Sequence, residues 1–370
     1  MRGGPKKWIP IAINSRRIFC CCADLFLLGD VAPQELGRTL THEHLSMNFT
    51  HFYRKPPQYL ADNFKINHIH LQNVGHIRQY PYSSNFNLVL NDKYAAEAVT
   101  NDVYYFKKYG GGTIVENSTE GLERNVRFCK EISKSSGVHI VAGTGYYVAD
   151  MQPDNLLHST QEELYSHMKT ELTEGCVDFP ECKAGFMGEI ASVWPLRDFE
   201  RKAIIAAGEV QSEVGCGVSF HPHRDEKAPF EIIRLYLEAG GAANKAVMSH
   251  LDRTLLVDEQ LLEFSKLGTY CQFDLFGVEV SYYQLNVATN MPNDAERINK
   301  IALLINEGKA DRILMSHDIH TKHRLTDFGG HGYSHIINNV LPRMKTKGIS
   351  QQDIDTITID NPANWLTINN

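Results

Sequence analysis

Eight short apolar runs, separated by stretches of helical period, constrain the fold of this chain more than any other feature. The runs lie at 37–44, 112–116, 138–144, 185–190, 217–221, 246–250, 269–274 and 312–316, and each reads as a buried strand. Between them, residues 94–109, 122–135, 161–174, 199–214, 230–239, 255–267 and 295–307 carry the periodicity of amphipathic helices. Gly137, Gly185, Gly215, Gly240 and Gly268 punctuate helix ends before the next strand. Strands alternating with helices predict a parallel α/β sheet, and a count of eight predicts closure into a (β/α)8 TIM-like barrel. An open doubly wound sheet is the alternative, but no GxGxxG or GxxxxGK[ST] follows the first strand.

A chain of 370 residues accommodates one such barrel, so residues 25–370 are read as a single domain. Residues 1–24 are expected to form a basic extension outside the fold. Arg2, Lys6, Lys7, Arg16 and Arg17 precede the first acid, Asp24, and the apolar stretch 8–13 is short and broken by Pro10. That is a poor secretory signal, and a mitochondrial-type presequence is the alternative to an unstructured tail. A net charge of −7 argues against nucleic acid or an anionic membrane as a partner, and no apolar stretch is long enough to span a bilayer. Cys20, Cys21 and Cys22 are adjacent, the other five cysteines are scattered, and no CxxC occurs, which fits reduced thiols in the cytoplasm.

In a barrel every strand delivers its C-terminal end to one catalytic face. His42 and His44, one residue apart at the end of the first strand, share a face by strand alternation while Glu43 points away. Glu189 nearly ends the fourth run, His221 ends the fifth and His250 the sixth, and Asp318 follows the eighth. Each alone has an ordinary structural role open to it, such as a helix cap for Asp318. Six nitrogen and oxygen donors at one mouth exceed what a single zinc ion needs; they suit two divalent cations with Glu189 as a bridging carboxylate and a hydroxide between. Three irregular segments, 48–91, 276–292 and 319–334, follow the first, seventh and eighth strands and are expected to wall the same pocket. Arg224, Arg253 and Arg324 follow the fifth, sixth and eighth strands. Arg224 and Arg324, with His320, are the candidate contacts for a small-molecule substrate.

These residues resemble the phosphotriesterase branch of the amidohydrolase superfamily, and within it the animal phosphotriesterase-related group. The resemblance runs through Leu36-Gly37-Arg38-Thr39-Leu40-Thr41-His42-Glu43-His44, Gly188-Glu189-Ile190, Trp194-Pro195-Leu196 and His221-Pro222-His223-Arg224. It continues in Ser249-His250-Leu251-Asp252-Arg253-Thr254, Ser316-His317-Asp318-Ile319 and Asn361-Pro362-Ala363. It implies a TIM-like barrel with a binuclear centre, usually zinc, a metal-bound hydroxide as nucleophile, and a homodimer. It further implies that His42, His44 and Asp318 hold a buried metal and that His221 and His250 hold a more exposed one. Asp318 then doubles as the catalytic proton acceptor, with His320 as a candidate relay. Glu189 stands where true phosphotriesterases carry a carboxylated lysine, and His223 where a small residue is expected. The substrate implied is a small N-acyl amide, N-acetyltaurine or an N-acyl amino acid. The alternatives are ester, lactone or phosphotriester hydrolysis on the same fold, and a non-catalytic metal-binding scaffold.

Overall fold

The computed structural model describes residues 16–19 and 30–369. Two short strands, β1 (Arg16–Phe19) and β2 (Asp30–Val31), precede the barrel. The barrel strands are β3 (Arg38–Glu43), β4 (Gly111–Glu116), β5 (His139–Thr144) and β6 (Phe186–Ala191), then β7 (Gly217–His221), β8 (Ala246–Met248), β9 (Tyr270–Phe273) and β10 (Ile313–Met315). They pair in parallel in sequence order, which makes the expected eight-stranded TIM-like barrel. The ring closes between β10 and β3, where the Asp318 N–H donates to the His42 carbonyl (3.0 Å) and the His42 N–H donates to Ser316 Oγ (3.0 Å).

Strand alternation divides most of the barrel strands between two apolar clusters. Val115, Val141, Phe186, Val247, Tyr270 and Leu314 form one cluster with Leu36 and Trp365. Their neighbours Ile114, Ile140, Met187, Met248, Ile313 and Met315 join a larger cluster with the surrounding helices. Helices Lys93–Lys108, Val126–Ser136, Gln161–Thr173, Asp198–Val214, Ala228–Glu238, Asp258–Ser265 and Asp294–Asn306 follow β3 to β9 in turn. Most begin within a few residues of the expected positions. The second starts at Val126 rather than 122, because the Asn125 side chain caps it by accepting from the Phe128 N–H (3.1 Å). Gly137 and Gly215 end their helices in the left-handed conformation, at φ 69° and 76°.

Two expectations need correction. Several strands stop before the end of their apolar run, β8 at Met248 and β9 at Phe273, because the chain turns there to aim side chains into the barrel mouth. The 1–24 extension is not wholly outside the fold: β1 pairs antiparallel with β2 and with β11 (Ile368–Asn369). The rest of that extension, including any targeting signal in it, lies outside the described residues. Among the described residues no helix is long and apolar enough to cross a membrane.

Trp365 is fully buried, packs edge-on against Phe186 (ring centroids 5.4 Å apart), and donates its indole N–H to the Lys245 carbonyl (3.1 Å). Trp365→Ala removes the largest buried side chain of that cluster and is expected to cost about 3–5 kcal/mol of stability. Denaturant unfolding would show this as a lower midpoint at unchanged slope.

Candidate metal centre and active-site pocket

The six candidate ligands reach the barrel mouth from the ends of five strands, and the hydrogen bonds around the histidines indicate which nitrogen is left for a metal. The His250 Nδ1–H donates to Asp274 Oδ1 (2.7 Å), so its lone pair sits on Nε2, which faces Glu189 Oε1 (3.0 Å) and His221 Nδ1 (2.9 Å). His44 donates from Nδ1 to Ser118 Oγ (3.0 Å), and Ser118 donates onward to Glu116 Oε1 (2.5 Å). The His44 Nε2 is thereby left toward Asp318 Oδ1 (3.3 Å). His42 has its Nδ1 beside Ser249 Oγ (3.1 Å) and Asp274 Oδ2 (3.3 Å), while its Nε2 is buried without a hydrogen-bond partner, 3.4 Å from Glu189 Oε1.

The backbone contributes to this arrangement. His250 and Asp318 sit at φ 57° and 54°, left-handed conformations that ordinary side chains rarely adopt. Such outliers persist only where surrounding contacts hold them. For Asp318 the holder is Glu43. Its Oε1 accepts from the His317 N–H (2.9 Å) and Ser316 Oγ (2.8 Å), and its Oε2 accepts from the Ile319 N–H (3.0 Å).

Electrostatics favour a positive charge at the centre of this cluster. Burial alone would lower the pKa of His42, but Glu189 and Asp274 outweigh it and raise it to about 10. Burial opposes ionisation of Glu189, yet His221 and His42 hold its carboxyl well below the usual range. Burial lowers His221 to about 3, so its imidazole is neutral. Asp318 is likewise held well below the usual carboxylate range against burial, chiefly by His320.

Two buried groups of three donors each suit a cation: His42, His44 and Asp318, and Glu189, His221 and His250. Within either group the ligand atoms all lie within 4.8 Å of one another. The orphaned His42 Nε2 and the mixed imidazole and carboxylate donors fit a divalent metal. A third group, His42, His250 and Asp274, brings in an acid that the sequence reading did not single out. The signal available was its position: Asp274 ends the 269–274 run as Glu189 nearly ends its own.

The pocket above these ligands has a volume of about 490 Å³ and takes in Arg224, Arg253, Tyr283 and His320. His320 lies 3.2 Å from Asp318 Oδ1 through Nδ1, and its Nε2 meets the Tyr82 hydroxyl (3.1 Å). Arg224 donates from Nε to the Tyr283 hydroxyl (3.0 Å). Arg324 is different: it donates to the carbonyls of His317 (2.6 Å), Asp318 (2.6 Å) and Phe276 (2.9 Å). It therefore braces the loop after β10, behind the pocket wall. His223 accepts from the Asp225 N–H through Nδ1 (3.1 Å) and shapes the turn after β7.

Residues 26–366 match the model of the phosphotriesterase family. The chain belongs to that family. It is 53% identical over 344 residues to the phosphotriesterase-related protein of Drosophila mojavensis, covering 93% of this chain and 98% of that one. The Drosophila melanogaster protein of the same name is 52% identical over 341 residues, covering 92% and 97%. Among solved structures, a resiniferatoxin-binding protein from Rhodobacter sphaeroides superposes with a TM-score of 0.88 at 25% identity, covering 96% of each chain. The fold is shared with the Escherichia coli phosphotriesterase homology protein, with a TM-score of 0.73 at 24% identity over 90% of this chain and 99% of that one. A lactonase from Listeria monocytogenes also shares it, with a TM-score of 0.72 at 23% identity, covering 92% and 98%. Members of the phosphotriesterase family are metal-dependent hydrolases, and the donor groups above could hold a divalent metal.

Asp274 supports His250 from behind, and such supporting carboxylates typically govern metal affinity. Asp274→Ala is expected to weaken zinc binding about 10- to 100-fold in a chelator competition. Unchanged affinity would remove Asp274 from the centre.

Proposed function

We propose that this protein hydrolyses a small N-acyl amide, such as N-acetyltaurine or an N-acyl amino acid, with two divalent cations, zinc in the first instance, bridged by Glu189. The observation that carries the reading is the position of the Glu189 carboxylate. Its Oε1 lies 3.0 Å from His250 Nε2 and 3.4 Å from His42 Nε2, and its Oε2 lies 3.8 Å from His44 Nε2. One carboxylate thus touches donors of both groups, as a bridge must.

Cations held there supply Lewis-acid polarisation of the scissile carbonyl and acidify water. The side chains do the rest. Asp318, ionised and 3.3 Å from His44, accepts the proton of the attacking water and delivers it to the departing amine. An amine leaves poorly without that proton, so amide cleavage draws on Asp318 more than ester or phosphotriester cleavage does. His320 orients Asp318 through its Nδ1 and is itself held by Tyr82. Phe49, Leu285 and Met291 give the pocket an apolar wall that keeps bulk water from the acyl group.

Metal analysis of protein purified without added metal is expected to find about two divalent ions per chain, with a marked loss in Glu189→Ala. About one ion, unchanged by the substitution, would reduce the centre to a mononuclear site. On the loaded protein, N-acyl amides are expected to turn over faster than lactones or phosphotriesters, and Asp318→Asn to remove amide hydrolysis. Lactone turnover exceeding amide turnover would favour the alternative substrate class. No turnover of any substrate at full metal occupancy would point to a scaffold.

A further inference from the structure

Two guanidinium groups stand at the same side of the pocket with no carboxylate against them. Arg253 is 3% exposed, yet it reaches only neutral acceptors: Thr254 Oγ1 (3.3 Å), the Pro222 carbonyl (3.2 Å) and His221 Nε2 (3.2 Å). The half-buried Arg224 uses its Nε on the Tyr283 hydroxyl and lies over that ring, 5.6 Å from its centroid. Among the described residues neither arginine forms an ion pair, whereas the buried Arg297 does; Arg324, buried without one, instead donates to three backbone carbonyls. Burial first, and then the nearby charge of Arg224, lowers the pKa of Arg253.

Buried charge without a counterion is costly, and a protein keeps it where a ligand completes the pair. We propose that Arg224 and Arg253, with Tyr283 setting the angle of Arg224, form the subsite for an oxyacid anion, a carboxylate or sulfonate, on the leaving-group side of the substrate. This rests on the hydrolase reading for which end of the substrate is cleaved, but the anion subsite itself does not need turnover. His221 adds to the case. If its Nδ1 lone pair serves a metal, its proton sits on Nε2, and the contact with Arg253 becomes one between two donors. Arg253 then needs another acceptor, and an anion beside Arg224 supplies it. The candidate metal ligands Glu189 and Asp318 line the same pocket, so a substrate with its electrophilic carbonyl at that centre carries its anion toward the arginines.

The test uses ketones in which CH2 replaces the amide NH and which cannot be hydrolysed. 4-Oxopentane-1-sulfonate and 5-oxohexanoate carry the anion, and 5-hydroxypentan-2-one is a neutral reference. Calorimetric binding to the metal-loaded wild type is expected to favour the anions by about 100-fold, the scale of two charge-assisted contacts. That preference is expected to collapse toward unity in Arg224→Leu and in Arg253→Leu, and to fall partway in Tyr283→Phe. Metal content and melting temperature identify any variant that fails to fold; Tyr283→Phe keeps both arginines, so its intermediate loss tests the subsite independently. Equal binding of anion and neutral ketone by the wild type, or an undiminished preference in both leucine variants, would overturn the proposal. Arginine-dependent anion binding in a protein that cleaves no N-acyl amide would uphold the subsite and reject the amide hydrolase reading.

Discussion

The closing seam of the barrel rests on one buried carboxylate. Glu43 points away from its two histidine neighbours and accepts four hydrogen bonds from residues 316–319, one of them from His317 Nδ1 (2.7 Å). Burial opposes its charge, but His317 and the other donors hold its carboxyl below the usual range. The protonation of the partner is fixed too. The Ile336 N–H donates to His317 Nε2 (3.0 Å), so the imidazole proton lies on Nδ1 and points at Glu43. β10 ends at Met315, and beyond it this clamp holds the segment together with the Asp318 N–H bond to the His42 carbonyl and the bonds from Arg324. Asp318 needs its left-handed backbone to face His44 and His320, and Glu43 is what over-determines that conformation.

From that seam the centre follows as a matter of charge. Glu189, Asp274 and Asp318 converge from three strands in a buried space, and among the described residues no lysine or arginine pairs with their carboxylates. Five histidines, His42, His44, His221, His250 and His320, adjoin them, and the hydrogen bonds of His44 and His250 direct a nitrogen lone pair inward. An assembly of this kind is stabilised by positive charge at its centre; the elevated pKa of His42 registers the same demand for a proton that the donors would otherwise satisfy with cations. The arginines of the pocket do not neutralise it: Arg253 reaches His221 Nε2 rather than a carboxylate, and Arg224 the Tyr283 hydroxyl.

The parts legible in the sequence are those set by local period. Strand alternation located the barrel, and residues at the ends of apolar runs, His42, His44, Glu189, His221 and His250, reached the mouth because barrel geometry sends every such end to one face. Asp274 shared that position and was passed over only because no neighbouring motif marked it. The loops were harder to read, for a physical reason. Arg324 follows β10 as Arg224 follows β7, yet the turn at Asp318 leaves the carbonyls of His317 and Asp318 outside any ladder, and Arg324 satisfies them. Which arginine faces the pocket thus depends on which backbone groups are left unpaired. Tyr82 and Tyr283 were equally hidden, since their placement comes from packing between segments 48–91 and 276–292, where the Tyr82 N–H donates to Gln284 Oε1 (2.9 Å).

The local backbone fixes where Glu189 projects. The β6–β7 pairing shifts register between Met187 and Ile190, the mark of an irregularity that re-aims a side chain next to an active site. Gly188, at φ 144°, lies so close to β7 that a Cβ there would meet Ser219 Cβ and its carbonyl oxygen at 2.8 Å. Only glycine permits that approach, and the carbonyl of Gly188 itself crowds Gly143 on β5. Strand β6 is therefore held by both neighbours at the point from which Glu189 projects. The carboxylate that results is ionised by its surroundings rather than assembled from lysine and carbon dioxide, so its charge is a fixed property of the folded chain.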